Sequence, residues 1–119
     1  MKHIRTTAVL LLSVGLGAVA TMPAHAADVC TDSVCVWDGS GLTGAIAGFT
    51  TADNNFSNNR FQGSTTSVND HITSIENHNG SSARFYTNSY WRGDTQDVPG
   101  GYWVNARYNN AYSSFRYLI

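Results

Sequence analysis

The chain has 119 residues, 42% hydrophobic and 13% charged, with a formal net charge of −1. That length admits one domain. The near-neutral balance excludes a nucleic-acid binder that works through a basic face. Residues 1–26 read as a secretory signal peptide. Lys2 and Arg5 form the positive start, Ala8 to Ala20 is an apolar run broken only by Ser and Gly, and Ala24-His25-Ala26 is an A-x-A cleavage site. A spanning helix needs about 20 apolar residues with flanking anchors. The segment therefore predicts a secreted product with no membrane attachment after cleavage.

Cleavage leaves residues 27–119 as the single domain. All 8 acidic residues stay, with five arginines (Arg60, Arg84, Arg92, Arg107 and Arg116), so the mature charge is 5 − 8 = −3 and no Lys remains. The 3 Trp, 6 Tyr and 5 Phe all lie in this part. A domain this small buries only about 60–65% of its unfolded surface, so its core must be built from large rings. Cys30 and Cys35 are the only cysteines. Export into an oxidising compartment predicts a disulfide between them. A zinc pair is the alternative, but no second ligand pair follows at finger spacing.

Helical periodicity is absent, and Asn, Gly, Ser and Thr recur as turn formers. Short β-type runs stand at Val34–Trp37, Ile72–Glu76, Ala83–Tyr86, Tyr102–Val104 and Phe115–Ile119. Asp38-Gly39, Asn79-Gly80 and Pro99-Gly100-Gly101 separate them as turns. Strands this short and this regularly spaced predict an all-β sandwich or barrel. Residues 53–68 are the most polar stretch, and Phe56 and Phe61 are placed to pin it as a loop.

Self-similarity sharpens the architecture. Trp37, Leu42 and Gly44 share their spacing with Tyr86, Trp91 and Gly93. Downstream, Asn69-Asp70-His71-Ile72-Thr73-Ser74 matches Asn109-Asn110-Ala111-Tyr112-Ser113-Ser114 as N-(D/N)-x-(apolar)-(S/T)-S. The Gly-to-Asn gap is 25 residues in the first copy and 16 in the second, so the first copy carries a nine-residue insertion, placed within 45–68. One such unit cannot bury its own face, but two packed together can.

This pair of elements resembles the βγ-crystallin domain, in which each Greek-key motif carries an aromatic-x4-aromatic-x-Gly hairpin and a later N/D-N/D-x-x-S/T-S stretch. Leu42 departs from that pattern, standing where the family has an aromatic. The resemblance implies an all-β, βγ-crystallin-like sandwich of two Greek-key motifs over about residues 34–118. The signal peptide, the early cysteine pair and C-V-W-D-G-S-G-L-T-G also resemble the bacterial secreted metalloproteinase-inhibitor family. The second disulfide that braces the reactive loop in that family has no counterpart, because no cysteine remains for it.

The crystallin resemblance implies calcium held by Asp70 and Thr73 from one stretch and by Asn110 and Ser113 from the other. The backbone carbonyls of His71 and Ala111 add to that set. Asp70 alone is charged among these ligands, so the sites would be weak, in the range of about 10⁻⁴–10⁻³ M. The same short side chains also cap turns with no metal at all. The inhibitor resemblance implies a secreted protease as partner, with the loop at 45–68 or the stiffer 94–101 stretch as the contact. The protein is expected to be a monomer, and the alternative is a calcium-binding crystallin-type protein with no inhibitory role, in stress or as a toxin-like antimicrobial.

Catalysis has little to stand on. No G-x-S-x-G elbow and no H-E-x-x-H is present. His71 and His78 are the only mature histidines, and seven residues of separation puts them on different strand faces. Arg92-Gly93-Asp94 and the Asn-x-Ser triplets at Asn55 and Asn79 are short patterns of the kind that this composition produces by chance. The Tyr, Trp and Arg content also suits a sugar-stacking surface, although the core draws on the same rings.

Overall fold

The computed structural model describes residues 30–119. Seven strands follow in order: β1 (Val34–Gly39), β2 (Thr43–Phe49), β3 (Ser74–Asn77), β4 (Ala83–Asn88), β5 (Arg92–Val98), β6 (Trp103–Asn105) and β7 (Ser114–Tyr117). One sheet has the order β2-β1-β3-β6 and the other β5-β4-β7, with every pairing antiparallel. Strand β6 belongs by sequence to the second copy but pairs with β3 of the first. Its counterpart in the first copy is reduced to a single bridge, Asp53 to Phe115, which reaches across to the other sheet. The second copy thus lends a strand to the first sheet and the first copy a single bridge to the second, and the two units pack together as the repeat implied.

The copies match residue for residue. In the first hairpin Trp37 pairs with Ile46, and in the second Tyr86 pairs with Thr95. Trp37 also pairs with Ser74, as Tyr86 does with Ser114. Both hairpins carry a register shift at the same place, between Trp37 and Gly39 and between Tyr86 and Asn88. Such bulges bend and twist the strand.

The inner faces build one core between the sheets. Val34, Val36, Ala47, Phe49, Ile75, Phe85, Val98, Val104, Tyr112 and Phe115 all join it. Phe85 and Phe115 stack with centroids 5.0 Å apart, and Phe49 meets Phe115 edge-on at 5.4 Å. Such ring pairs add roughly 0.5–1.5 kcal/mol beyond their buried area. A second, smaller cluster lies on the outer face of the first sheet: Cys30, Cys35, Trp37, Leu42 and Ile46, with Trp103 against it. The Cys30–Cys35 disulfide is formed and is part of that cluster.

Several expectations change in detail. Residues 94–98 are strand β5, so only the turn after Val98 is loop. Residues 45–49 likewise continue strand β2. The extra residues of the first copy fall between Asp53, which holds the vestigial third strand, and Ser74. This segment is pinned, as Phe56 and Phe61 suggested. Both rings are fully buried, as is Val68, and a single 3-10 turn spans Phe56–Asn58. Backbone bonds from Val68 N–H to Asn59 C=O (2.9 Å), Gln62 N–H to Ile46 C=O (2.8 Å) and Phe56 N–H to Ser113 C=O (2.8 Å) tie it down. Among the described residues no helix is long and apolar enough to cross a membrane. The signal-peptide segment lies outside the described residues.

Candidate functional site

Both hairpins fold back over their own sheet, and the same three devices hold each one. The turn residues adopt left-handed backbone: Gly41 and Leu42 at φ 65° and 62°, and Tyr90 and Trp91 both at 60°. Three of these carry a Cβ, for which this conformation is strained. The glycine that follows is required sterically. At Gly44 (φ 88°) a Cβ would lie 2.2 Å from Asp38 Oδ1, and at Gly93 (φ 91°) 2.4 Å from Thr87 Oγ1. Those oxygens are close because they accept backbone N–H groups, from Ala45 at 2.8 Å and from Asp94 at 2.9 Å.

The third device is a serine. Ser74 Oγ accepts from Leu42 N–H (2.9 Å) and donates to Gly39 C=O (2.6 Å). Ser114 Oγ accepts from Trp91 N–H (3.1 Å) and donates to Asn88 C=O (2.7 Å). The last Ser of each N-(D/N)-x-x-(S/T)-S stretch therefore latches its own hairpin. Its repeat at the same offset was visible in the sequence, but the partner it bonds was not.

The two stretches meet. Asp70 N–H donates to Tyr112 C=O (3.0 Å), and Asn110 N–H to Ile72 C=O (3.1 Å). Asp70 and Asn110 both take left-handed backbone, at φ 61° and 62°. This turns each side chain toward the other stretch. Ser113 Oγ reaches Asp70 Oδ1 at 3.5 Å, and Thr73 Oγ1 reaches Asn110 Oδ1 at 3.3 Å. Asp70 is thus brought to Ser113 and Asn110 to Thr73, each hydroxyl facing the amide or carboxylate of the other copy. The carbonyls of His71 and Ala111 accept no hydrogen bond from the described residues. Carboxylate, amide, hydroxyl and carbonyl oxygens at an exposed bend are the donor set that suits a hard cation such as calcium.

Behind this bend the phenol of Tyr112 is buried, donates to Gln96 Oε1 and accepts from Tyr108 N–H at 3.4 Å. Burial pushes its ionisation above the ordinary phenol value, and the nearby backbone donors offset part of that rise. Elsewhere, Glu76 pairs with His78 at 3.1 Å beside Cys30. The sulfur of Cys30 is committed to its disulfide, so that group offers no thiolate to a metal.

The fold and the latched hairpins define a class: a two-motif βγ-crystallin-type domain. Solved structures agree. The described fold is similar to a domain from work on the eye-lens βγ-crystallin fold, with TM-score 0.63 at 16% identity over 76% of this chain and 89% of that one. It is also similar to a βγ-crystallin from an archaeon (TM-score 0.57, 25% identity, 71% and 95% covered) and to a βγ-crystallin domain from Flavobacterium johnsoniae (0.56, 25%, 73% and 94%). No curated protein matches significantly by sequence. The model of peptidase inhibitor family I36 matches residues 23–98, more than half of the chain. The protein belongs to peptidase inhibitor family I36.

Proposed function

We propose that the protein is a secreted inhibitor of an extracellular metalloproteinase, with residues 1–26 removed on export. The family match over residues 23–98 carries this reading. The fold supports it physically. An inhibitor binds tightly when its contact segment is already ordered, because less entropy is lost on docking. Two ordered projections are available: the tip Gln62–Thr66 of the pinned insertion, and the hairpin turn at Tyr90–Trp91. Tyr90 N–H donates to Asn54 C=O at 2.7 Å, so the hairpin and the insertion brace one another. That bond, together with the buried Phe56 and Phe61, stands in for the second disulfide that the chain lacks. The test is titration of thermolysin-like and subtilisin-like proteases with the exported protein. Stoichiometric inhibition of a metalloproteinase at micromolar protein is expected, and digestion of the chain without inhibition overturns the reading.

Calcium is the second part of the proposal. Asp70 and Ser113 with the His71 carbonyl would hold one ion, and Asn110 and Thr73 with the Ala111 carbonyl another. Bound calcium would supply no chemistry beyond cross-linking the two stretches. For sites of about 10⁻⁴–10⁻³ M, 10 mM calcium stabilises the fold by about 1.4–2.7 kcal/mol per site. Urea denaturation with and without calcium measures it, and Asp70→Ala is expected to abolish the gain at its own site. A midpoint that calcium leaves unmoved overturns this part without touching the first.

A further inference from the structure

The outer faces of the two sheets are built from equivalent positions but are finished differently. On the first sheet Cys35, Trp37, Leu42, Ile46 and Glu76 form a face that the Cys30 loop and Trp103 cover. Their counterparts on the second sheet are Arg84, Tyr86, Trp91, Thr95 and Arg116. Two arginines therefore stand directly opposite one another on neighbouring strands, Arg84 on β4 and Arg116 on β7. Like charges in that relation destabilise a sheet unless each finds a partner.

Arg84 has one. Its Nε and Nη2 bond Asp97 Oδ1 and Oδ2 at 2.7 and 3.0 Å, a bidentate fork. Arg116 has no acidic partner among the described residues. Its guanidinium carbon lies 5.0 Å from the centre of the Trp91 ring and 5.6 Å from that of Tyr86, and Nε donates to Tyr86 Oη at 3.0 Å. Trp91 is itself fixed by donating from its indole to Phe115 C=O at 3.1 Å. The two rings flank the guanidinium, Arg116 is exposed, and its Nη groups make no hydrogen bond to the described residues. A guanidinium held in one plane is pre-organised for a planar oxyanion, as Arg84 shows beside it. At the tip of the same hairpin Tyr90 is 56% exposed, the one exposed Phe, Tyr or Trp among the described residues.

We propose that this face, centred on Arg116 with Trp91 and Tyr90, is a docking surface for a carboxylate-bearing polysaccharide. A uronate residue places its carboxylate on the open edge of Arg116 and its ring against Tyr90. Charge complementarity selects the sign. Four of the five mature arginines lie in the second copy (Arg84, Arg92, Arg107 and Arg116) against two acids there, Asp94 and Asp97. The first copy, from Cys30 to His78, holds one arginine against Asp32, Asp38, Asp53, Asp70 and Glu76. The charge density is too low for nucleic acid, whose binders neutralise many phosphates. One exposed guanidinium on a face whose hairpin tip carries an exposed ring suits a polymer with one carboxylate per sugar. An acidic peptide would leave the ring unused. The surface shares the Tyr90–Trp91 turn with one of the two projections proposed for a protease and is independent of calcium.

The test is titration of the exported protein with oligogalacturonate in a chelating buffer at low salt, followed by Trp fluorescence and calorimetry. Dextran and polyglutamate of matched length are the comparison ligands. Binding to oligogalacturonate, a fluorescence change lost in Trp91→Phe, and about tenfold weaker binding for Arg116→Gln are expected. Arg116→Lys keeps the charge but not the fork and is expected to fall between the two. Thermal melts of each variant show whether it is folded, and the wild-type fluorescence change stands even if a variant is not. No binding, equal binding to dextran or to polyglutamate, or a folded Arg116→Gln that binds as wild type would each overturn the proposal.

Discussion

The two Greek-key copies share the register of their hairpins and of the strand that pairs beside each hairpin, and differ in what lies on their outer faces. In the first, Trp37 and Ile46 sit under a disulfide-closed lead and form a second, buried cluster. In the second, the equivalent Tyr86 lies beneath Arg116, and Arg84 and Asp97 meet the solvent as an ion pair. The difference separates two jobs. The inner-face residues, the bulge and the serine latch set the backbone, because each is needed for pairing or for satisfying hydrogen bonds. The outer face can then be apolar and covered or charged and open without any change of register.

That contrast breaks first at its largest element. Trp37→Ala removes a ring with no exposed surface and is expected to cost about 3–5 kcal/mol. Trp91→Ala, half-buried in the equivalent hairpin, is expected to cost about 1 kcal/mol. Urea denaturation of both variants checks the ratio, and equal losses would mean that the second face is as much a core as the first. Next, Cys30→Ser with Cys35→Ser opens a six-residue loop, for which chain entropy predicts a loss of about 2 kcal/mol. Mild reductant is expected to reproduce that loss, since no free cysteine exists among the described residues to complicate it. Ser74→Ala and Ser114→Ala each delete a hydroxyl that makes two hydrogen bonds, at about 1–3 kcal/mol. Here the two copies should agree, and the sharper test of the repeat is that their losses match within about 0.5 kcal/mol.

The smallest effect is one of pH. Burial raises the ionisation of Tyr112 in the folded state, and that of Tyr117 as well. The folded protein therefore favours the protonated phenols. Their contribution is complete below the unfolded value of about 10 and is lost as pH rises through the raised folded values. Melting curves at increasing alkaline pH should fall from about pH 10 upward, and less steeply in Tyr112→Phe.

Much of the fold was legible because a repeat is a statement about geometry. The spacing of Trp37, Leu42 and Gly44, recurring at Tyr86, Trp91 and Gly93, predicted two hairpins, and the crystallin resemblance implied that the two N-(D/N)-x-x-(S/T)-S stretches share ligands. Strands β2 and β5 were harder to see. Thr43–Phe49 is rich in Gly and Ala, and Arg92–Val98 is almost wholly polar, so neither alternates cleanly. The place of the insertion was blurred for a similar reason. A third strand reduced to the single Asp53–Phe115 bridge leaves no hydrophobic run to read.

The candidate site divided in the same way. Asp70, Thr73, Asn110 and Ser113 could be named from the motif, and the fold brought them into two reciprocal pairs. The roles of Ser74 and Ser114 could not be named, since each bonds a hairpin distant in sequence. The open arginine face was equally hidden. Arg84, Trp91 and Arg116 are spread along the chain, and nothing in their spacing links them.

The sequence by itself determined the class, the repeat, the disulfide pair and the rings that fill the core, because composition and local spacing carry that information. Only the tertiary structure decided which outer face is covered and which is open. That depends on where the Cys30 loop folds back and on which side chains cross-strand pairing sets side by side. Those are long-range contacts, and the chain writes them in no contiguous stretch.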